Sequence, residues 1–139
     1  MGQSKKIQVF SDGASRGNPG PSAIAYAIYD ESGVLIDSGA RSIGRATNNE
    51  AEYQALLQAM ERACVHSKDT AHFFVDSEFV VRQVSGQYRA KDERMRGYMQ
   101  KVHSNMKCFK SVRVIHVPRE NNRTQLVDKM VNDLLDRAG

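Results

Sequence analysis

The sequence predicts an α/β fold, and three features of its apolar pattern support this. Two β-prone runs come first, and a turn joins the second of them to a third run. The apolar spacing then changes from strand-like to helical near Asn49, and farther on short apolar runs alternate with amphipathic stretches. The resulting order is β-β-β-α-β-α-α-β-α. This order predicts a five-stranded mixed sheet, an antiparallel meander plus parallel strands, with helices on its faces.

The first three runs are predicted to be neighbouring strands. Residues 7–10 form a β-prone run that ends at the Ser-Asp-Gly sequence of residues 11–13, and residues 23–29 form a second run. A turn at residues 30–33 leads into the third run, which continues toward Ile43. Because a short turn joins them, the second and third strands are expected to pair as an antiparallel hairpin.

The first predicted helix covers about residues 49–64. Leu56, Ala59 and Ala63 recur at helical spacing and share one face with Glu52. That apolar face is the one expected to pack against the sheet.

Strands and helices alternate in the second half of the chain. The apolar run at residues 73–75 predicts a strand, and the short helix after it can end at Gly86. A further helix is expected to run to Met106. A last strand covers residues 112–117, and Thr124 is the expected cap of the final helix.

Length and composition indicate one compact domain, residues 1–139. The 139 residues are 40% hydrophobic and 26% charged. No apolar run approaches the roughly 20 residues of a membrane helix, so a cytoplasmic protein is expected. The net charge of +4 favours approach to a polyanion without identifying one. No association motif is recognisable, and a monomer is the default expectation.

The two cysteines, Cys64 and Cys108, are far apart in sequence and lack the spacing of paired zinc ligands. A domain of this length can bury an ordinary core without disulfides. We therefore expect two buried free thiols.

Two aspartates are placed at the ends of predicted strands. Asp12 closes the first strand and Asp76 closes the fourth. If these strands are parallel neighbours, both carboxylates lie along the crevice where open α/β sheets bind ligands. The alternative is that each carboxylate caps the turn or helix that follows it.

Two further acids lie on helices that face the sheet. Glu52 shares the apolar face of its helix, although a capping box with Asn49 as the cap would also explain it. Asp128 borders the apolar arc of the last helix, in its first turn. Compensation of the helix dipole is the alternative for Asp128.

Together these positions predict a cluster of four carboxylates at one end of the sheet, with no Lys or Arg assigned to neutralise it. Clustered carboxylates raise one another's pKa unless cations keep them ionised. Ligand sets made of oxygen alone favour Mg²⁺ or Mn²⁺. The matching chemistry is two-metal phosphodiester hydrolysis.

Four sequence strings resemble type 1 ribonuclease H, in the right order and over nearly the whole chain. They are SDGASRGNPG at residues 11–20, TNNEAEY at 47–53, VDSE at 75–78 and VDKMVN at 127–132. The resemblance implies a ribonuclease H-like fold. It also implies two Mg²⁺ ions, with Mn²⁺ as a possible substitute, and hydrolysis of the RNA strand of RNA/DNA hybrids to 5′-phosphate and 3′-hydroxyl ends. The implied catalytic and metal-binding residues are Asp12, Glu52, Asp76 and Asp128.

The resemblance also implies contacts to the hybrid. The glycine-rich loop at residues 13–20 would touch ribose 2′-hydroxyls in the minor groove. Asn49 and Glu78 would contact bases or sugars of the hybrid near the cut, and Thr47 would help hold a phosphate of the DNA strand. Glu78 departs from the glutamine of many members and has lost the amide donors. Plain loop and helix-start polarity is the alternative for these positions. The implied contact residues are Gly13, Ser15, Asn18, Thr47, Asn49 and Glu78.

Two departures from the family concern the later part of the chain. The tryptophan-containing basic protrusion of many bacterial members is missing, and basic residues between Arg89 and Arg96 could form a smaller basic surface or a solvated helix start. The loop of residues 117–125 has no histidine, and Arg119 occupies about its place. His116 is expected to be a packed or edge residue of the last strand.

These observations favour an endonuclease that cuts RNA within RNA/DNA hybrids. A non-catalytic hybrid-binding module on the same fold is the alternative, and retention of all four acids argues against it. A structural α/β domain whose acids are caps is a third interpretation.

Overall fold

The computed structural model describes residues 5–138, and it confirms the predicted order of strands and helices. Five strands and four helices follow one another in the order that the apolar pattern indicates. Their bounds are β1 Lys6–Ser15, β2 Gly20–Tyr29, β3 Leu35–Ala46, α1 Asn48–His66, β4 Thr70–Val75, α2 Glu78–Val84, α3 Glu93–Met106, β5 Ser111–His116 and α4 Asn122–Ala138.

The five strands form one mixed sheet in the order β3-β2-β1-β4-β5. β1, β2 and β3 pair in antiparallel fashion, whereas β4 runs parallel to both β1 and β5. The parallel register of β1 and β4 ends at Ser11 opposite Val75. Asp12 and Asp76 follow this last pair directly, so the register sets them side by side. Asp12 lies within β1, which is longer than predicted and continues against β2.

Side chains that alternate along the strands supply two cores, one on each face of the sheet. Ile7, Val9 and Phe73 point to the face covered by α1, α2 and α3. Phe10 points to the other face, where α4 packs, and its ring stacks on Phe74 with centroids 4.8 Å apart. The helices cover both faces of the sheet and leave it open at the end where β4 stops and Asp12 and Asp76 lie.

The capping residue of α1 differs from the prediction. Thr47, not Asn49, is the N-cap, and its hydroxyl accepts a hydrogen bond from the Glu50 N–H. The Glu50 carboxylate accepts in return from the Thr47 N–H at 2.8 Å, which lowers the pKa of Glu50. The helix therefore starts one residue earlier, and Glu52 is not needed for capping.

The start of α4 also differs from the prediction, since Asn121 and not Thr124 caps it. The Asn121 side-chain oxygen accepts from the backbone N–H groups of Arg123 and Thr124. Thr124 is instead a buried residue of the first turn. Its hydroxyl has no hydrogen-bond partner among the described residues. A run of Asn, Asn and Thr offers several possible caps, and packing decides among them.

The expectation of free thiols is wrong. Cys64 in α1 and Cys108 after α3 form a disulfide, with their Cα atoms 6.2 Å apart. The pairing follows from the packing of α3 on α1, which brings together residues 44 positions apart. Sequence spacing contains no sign of that packing.

Among the described helices, none is both long and apolar enough to cross a membrane.

Candidate active site

Three of the four predicted acids meet at the open end of the sheet. Asp12 comes from β1, Glu52 from the second turn of α1, and Asp76 from the residue after β4. One carboxylate oxygen of each lies within 4.8 Å of the others. Side chains from three separate segments thus form one group of oxygen ligands.

Gly13 allows β1 and α1 to approach closely enough to form this group. Its backbone N–H donates to Oε1 of Glu52 at 3.0 Å. A Cβ atom on Gly13 would lie 2.1 Å from the carbonyl oxygen of Ala51, which is backbone and cannot move aside. Only glycine fits this contact, and the contact sets Glu52 beside Asp12.

Burial and mutual repulsion favour the protonated forms of Asp12 and Glu52. Asp12 is 4% exposed. Its burial, together with the charges of Asp76 and Asp128, raises the pKa of Asp12 to about 8. Burial and the same crowding also raise the pKa of Glu52, against the opposing effect of the Gly13 N–H.

The chemistry of this donor set fits a hard divalent cation. Oδ2 of Asp12 is buried and accepts no hydrogen bond among residues 5–138. An unpaired, buried carboxylate oxygen facing two further carboxylates is costly in the protein alone. A divalent cation would neutralise the group and give the unpaired oxygen a partner.

Asp128 lies beside this group without being one of its three closely spaced members. It lies in the second turn of α4, not in the first turn as the sequence predicts, and is near enough for its charge to act on Asp12. Its Oδ2 accepts a hydrogen bond from the Asn132 side-chain amide at 3.2 Å, and that amide also donates to the Asp128 carbonyl at 3.0 Å. Asn132 therefore orients Asp128 toward the cluster.

The cluster does have a basic partner, contrary to the expectation that none neutralises it. Nε of Arg119 lies 3.4 Å from Oδ2 of Asp76. The charge of Asp76 in particular raises the pKa of this guanidinium. Arg119 is brought there by the parallel pairing of β4 and β5, which extends to a hydrogen bond from the Val117 N–H to the Val75 carbonyl.

The glycine-rich loop is fastened to the start of α1. The Ser15 N–H donates to Oδ1 of Asn48 at 2.9 Å, and the Asn48 N–H donates to Oδ1 of Asn18 at 3.0 Å. The Ser15 hydroxyl donates to the Ala46 carbonyl. Sequence reasoning missed Asn48, whose neighbour Asn49 matched the family more visibly. Asn48 holds the loop next to the carboxylates.

A groove of about 510 Å³ opens between the start of α1, α2 and the start of α3. Its wall contains two exposed aromatic rings, Phe79 at 36% and Tyr88 at 42% exposure. Arg89, Lys91 and Asn49 also line it. The groove thus combines aromatic surfaces with two basic side chains, and the carboxylate of Asp92 also lines it.

The other predicted contact residues near this groove have partners within the protein. Glu78 accepts from Nε of Arg82 at 2.8 Å. Arg94 donates to Glu50 at 2.7 Å, and Arg96 donates to a backbone carbonyl. Of the four basic residues in this stretch, Arg89 and Lys91 are the ones that line the groove.

A buried hydrogen bond supports the wall of the groove. The hydroxyl of Tyr53 donates to Oε1 of Gln83 at 2.5 Å, and Nε2 of Gln83 donates to the carbonyl of Arg89 at 3.2 Å. Burial also raises the pKa of Tyr53 to about 12, so this hydroxyl keeps its proton. A glutamine in an amphipathic stretch gives no sequence signal for such a role.

The pKa of Asp12 predicts how stability depends on pH when no divalent ion is bound. The folded state keeps a proton up to about pH 8, whereas the unfolded chain releases it near the ordinary value of 3.8. The free energy of unfolding should therefore fall as pH rises through this window. Thermal melts in EDTA from about pH 5 to about pH 9 measure this fall. Asp12→Asn should reduce this fall without abolishing it, because burial also raises the pKa of Glu52. An equal fall in that variant would contradict the assignment.

Comparison with known proteins places the chain in a family. A family model described as reverse transcriptase-like matches residues 10–133. Ribonuclease HI of Halobacterium salinarum is 35% identical over 133 residues, which cover 96% of this chain and 66% of that protein. The bifunctional protein Rv2228c of Mycobacterium tuberculosis is 34% identical over 96% of this chain and 36% of its own length. The chain therefore spans between about one third and two thirds of these relatives.

Solved structures agree with the sequence comparison. The crystal structure of RNase H1 from Halobacterium salinarum superposes with a TM-score of 0.89 at 34% identity, covering 95% of this chain and 98% of that one. LC11-RNase H1, solved in complex with an RNA/DNA hybrid, superposes with a TM-score of 0.86 at 34% identity over the same shares. With the fold, the sequence strings and the relatives all in agreement, this chain belongs to the type 1 ribonuclease H family.

Proposed function

We propose that this protein is a metal-dependent endonuclease that hydrolyses the RNA strand of RNA/DNA hybrids. The observation that carries the proposal is the group of Asp12, Glu52 and Asp76, whose carboxylate oxygens lie within 4.8 Å of one another. The related protein of Halobacterium salinarum is named ribonuclease HI, and the related LC11-RNase H1 was solved in complex with an RNA/DNA hybrid.

We assign the four acids different positions in the metal site. Asp12, Glu52 and Asp76 would form the core of the site, and Asp128 would complete it from α4. Two Mg²⁺ ions held there would supply an activated water and stabilise the leaving oxygen, giving 5′-phosphate and 3′-hydroxyl ends, with Mn²⁺ as a substitute. Asp12 must lose its proton before it can bind a cation.

The glycine-rich loop and the start of α1 would bind the hybrid from one side. Gly13, Ser15 and Asn18 lie on a segment that is fixed to α1 by Asn48 and is adjacent to the carboxylates. Contacts there to ribose 2′-hydroxyls would distinguish the RNA strand from DNA. Thr47 would add a contact to a phosphate of the DNA strand.

The groove beside α2 would hold the DNA strand. Phe79 and Tyr88 offer flat apolar surfaces to sugars or bases, while Arg89 and Lys91 offer charge to phosphates. Asn49 lines this groove from the start of α1. Glu78, held by Arg82, would act as a hydrogen-bond acceptor near the cut. This surface takes the place of the absent basic protrusion.

A cleavage assay with strand-specific labels tests the proposal. The protein is incubated with an RNA/DNA hybrid labelled on either strand, with duplex RNA and with duplex DNA, in Mg²⁺, in Mn²⁺ and in EDTA. We expect the RNA strand of the hybrid to be cut in Mg²⁺ and in Mn²⁺. We expect no cleavage in EDTA. Binding of the hybrid without cleavage would favour the non-catalytic module, and cleavage in EDTA would exclude the metal mechanism. Gel filtration of the same sample tests for the expected monomer.

A further inference from the structure

We infer that Arg119 is the internal counter-cation of the metal-free site, and that it competes with the first divalent ion for the carboxylates. The inference rests on the proposed function, since it concerns the same acids. It assigns Arg119 to the control of metal affinity, as a positioning residue that acts through Asp76.

The geometry shows an ion pair between one buried side chain and one solvent-exposed side chain. Nε of Arg119 lies 3.4 Å from Oδ2 of Asp76. The Asp76 side chain is 4% exposed, whereas that of Arg119 is 76% exposed. The guanidinium therefore approaches the cluster from the solvent, and it can withdraw into water without disturbing the core.

The charges around Arg119 explain why it lies there. The carboxylates of Asp76, Asp128 and Asp12 all act on its guanidinium. Among the described residues, Arg119 is the single Lys or Arg that forms an ion pair with any of the four acids. Without a metal, it is the one basic group that offsets their mutual repulsion at short range.

A divalent ion at the cluster would take over this role. Two cationic groups that neutralise the same oxygens repel each other, so binding the ion weakens the pair between Arg119 and Asp76. The free energy that the ion pair contributed is lost when the ion binds, and the protein therefore binds the metal more weakly. An ion pair this exposed contributes little, which sets the expected gain in Mg²⁺ affinity on its removal at about two- to fivefold.

Calorimetric titration of Mg²⁺ into the intact protein, without nucleic acid, tests the inference. We compare the unaltered protein with Arg119→Gln and Arg119→Lys in the same buffer. Lys129→Gln is the matched control. It also removes a positive charge from the neighbourhood of Asp128, but Lys129 pairs with Asp133 at 2.9 Å and not with the cluster.

We expect Arg119→Gln to bind Mg²⁺ about two to five times more tightly, Arg119→Lys to stay near the unaltered protein, and Lys129→Gln to show no comparable gain. Thermal melts in EDTA should show Arg119→Gln folded and slightly less stable, with a larger rise on adding Mg²⁺.

Three results would overturn the inference while leaving the proposed function intact. These are equal affinity in Arg119→Gln, weaker affinity in that variant, or an equal gain in Lys129→Gln. Absence of Mg²⁺ binding by the unaltered protein would instead contradict the proposed function itself.

Discussion

Asp76→Asn is expected to lower Mg²⁺-dependent cleavage of the hybrid by at least about a hundredfold, and Asp12→Asn to do the same. Each substitution removes a charged oxygen from the group that would hold the metal, while the shape of the side chain is retained. Initial rates on a hybrid labelled on its RNA strand, at saturating Mg²⁺, measure the effect.

Asp69→Asn serves as the control for this loss. Asp69 precedes β4 at the end opposite Asp76, far from the cluster along the same strand. Its substitution should leave the rate unchanged. Melts in EDTA should show Asp12→Asn and Asp76→Asn as stable as the unaltered protein or more so, because repulsion is relieved. A large loss of stability would indicate that these acids act as caps, and an unchanged rate would refute their catalytic role.

Gly13→Ala is expected to reduce the free energy of unfolding by about 3 kcal/mol. The added methyl group would lie 2.1 Å from the Ala51 carbonyl oxygen, so β1 and α1 must move apart. That movement breaks the bond from the Gly13 N–H to Glu52 and displaces Glu52 from Asp12. Urea unfolding measures the stability, and cleavage below the melting temperature should fall more than tenfold.

Gly97→Ala provides the matched glycine substitution. Gly97 lies within α3, and a Cβ there would meet no atom within 4 Å. Alanine is the better helix former, so this variant should gain about 0.5 to 1 kcal/mol. If Gly13→Ala is equally harmless, the close approach of β1 to α1 is not what assembles the site.

Much of the fold could be predicted because apolar periodicity records which faces are buried. Glu52 shares its helical face with Leu56 and Ala59, which are fully buried against the sheet. The prediction that Asp12 and Asp76 are neighbours needed only the parallel pairing of two strands, and the register supplies it. The local apolar pattern was sufficient to predict an element wherever that element's own sequence decides which of its faces is buried.

Sequence could not show features that depend on contacts between distant elements. Thr47 and Asn49 are both good caps, and which one is used depends on where β3 ends. The disulfide between Cys64 and Cys108 requires the packing of α3 on α1. The ion pair of Arg119 with Asp76 spans 43 positions and follows from the pairing of β4 with β5.

Anomalous diffraction from crystals of this protein soaked in Mn²⁺ tests most directly whether its acids form a metal site. The account predicts a strong peak within coordination distance of carboxylate oxygens from Asp12, Glu52 and Asp76, and release of the Arg119 side chain from Asp76. Mn²⁺ bound elsewhere on the surface, with these three carboxylates left without metal, would contradict it.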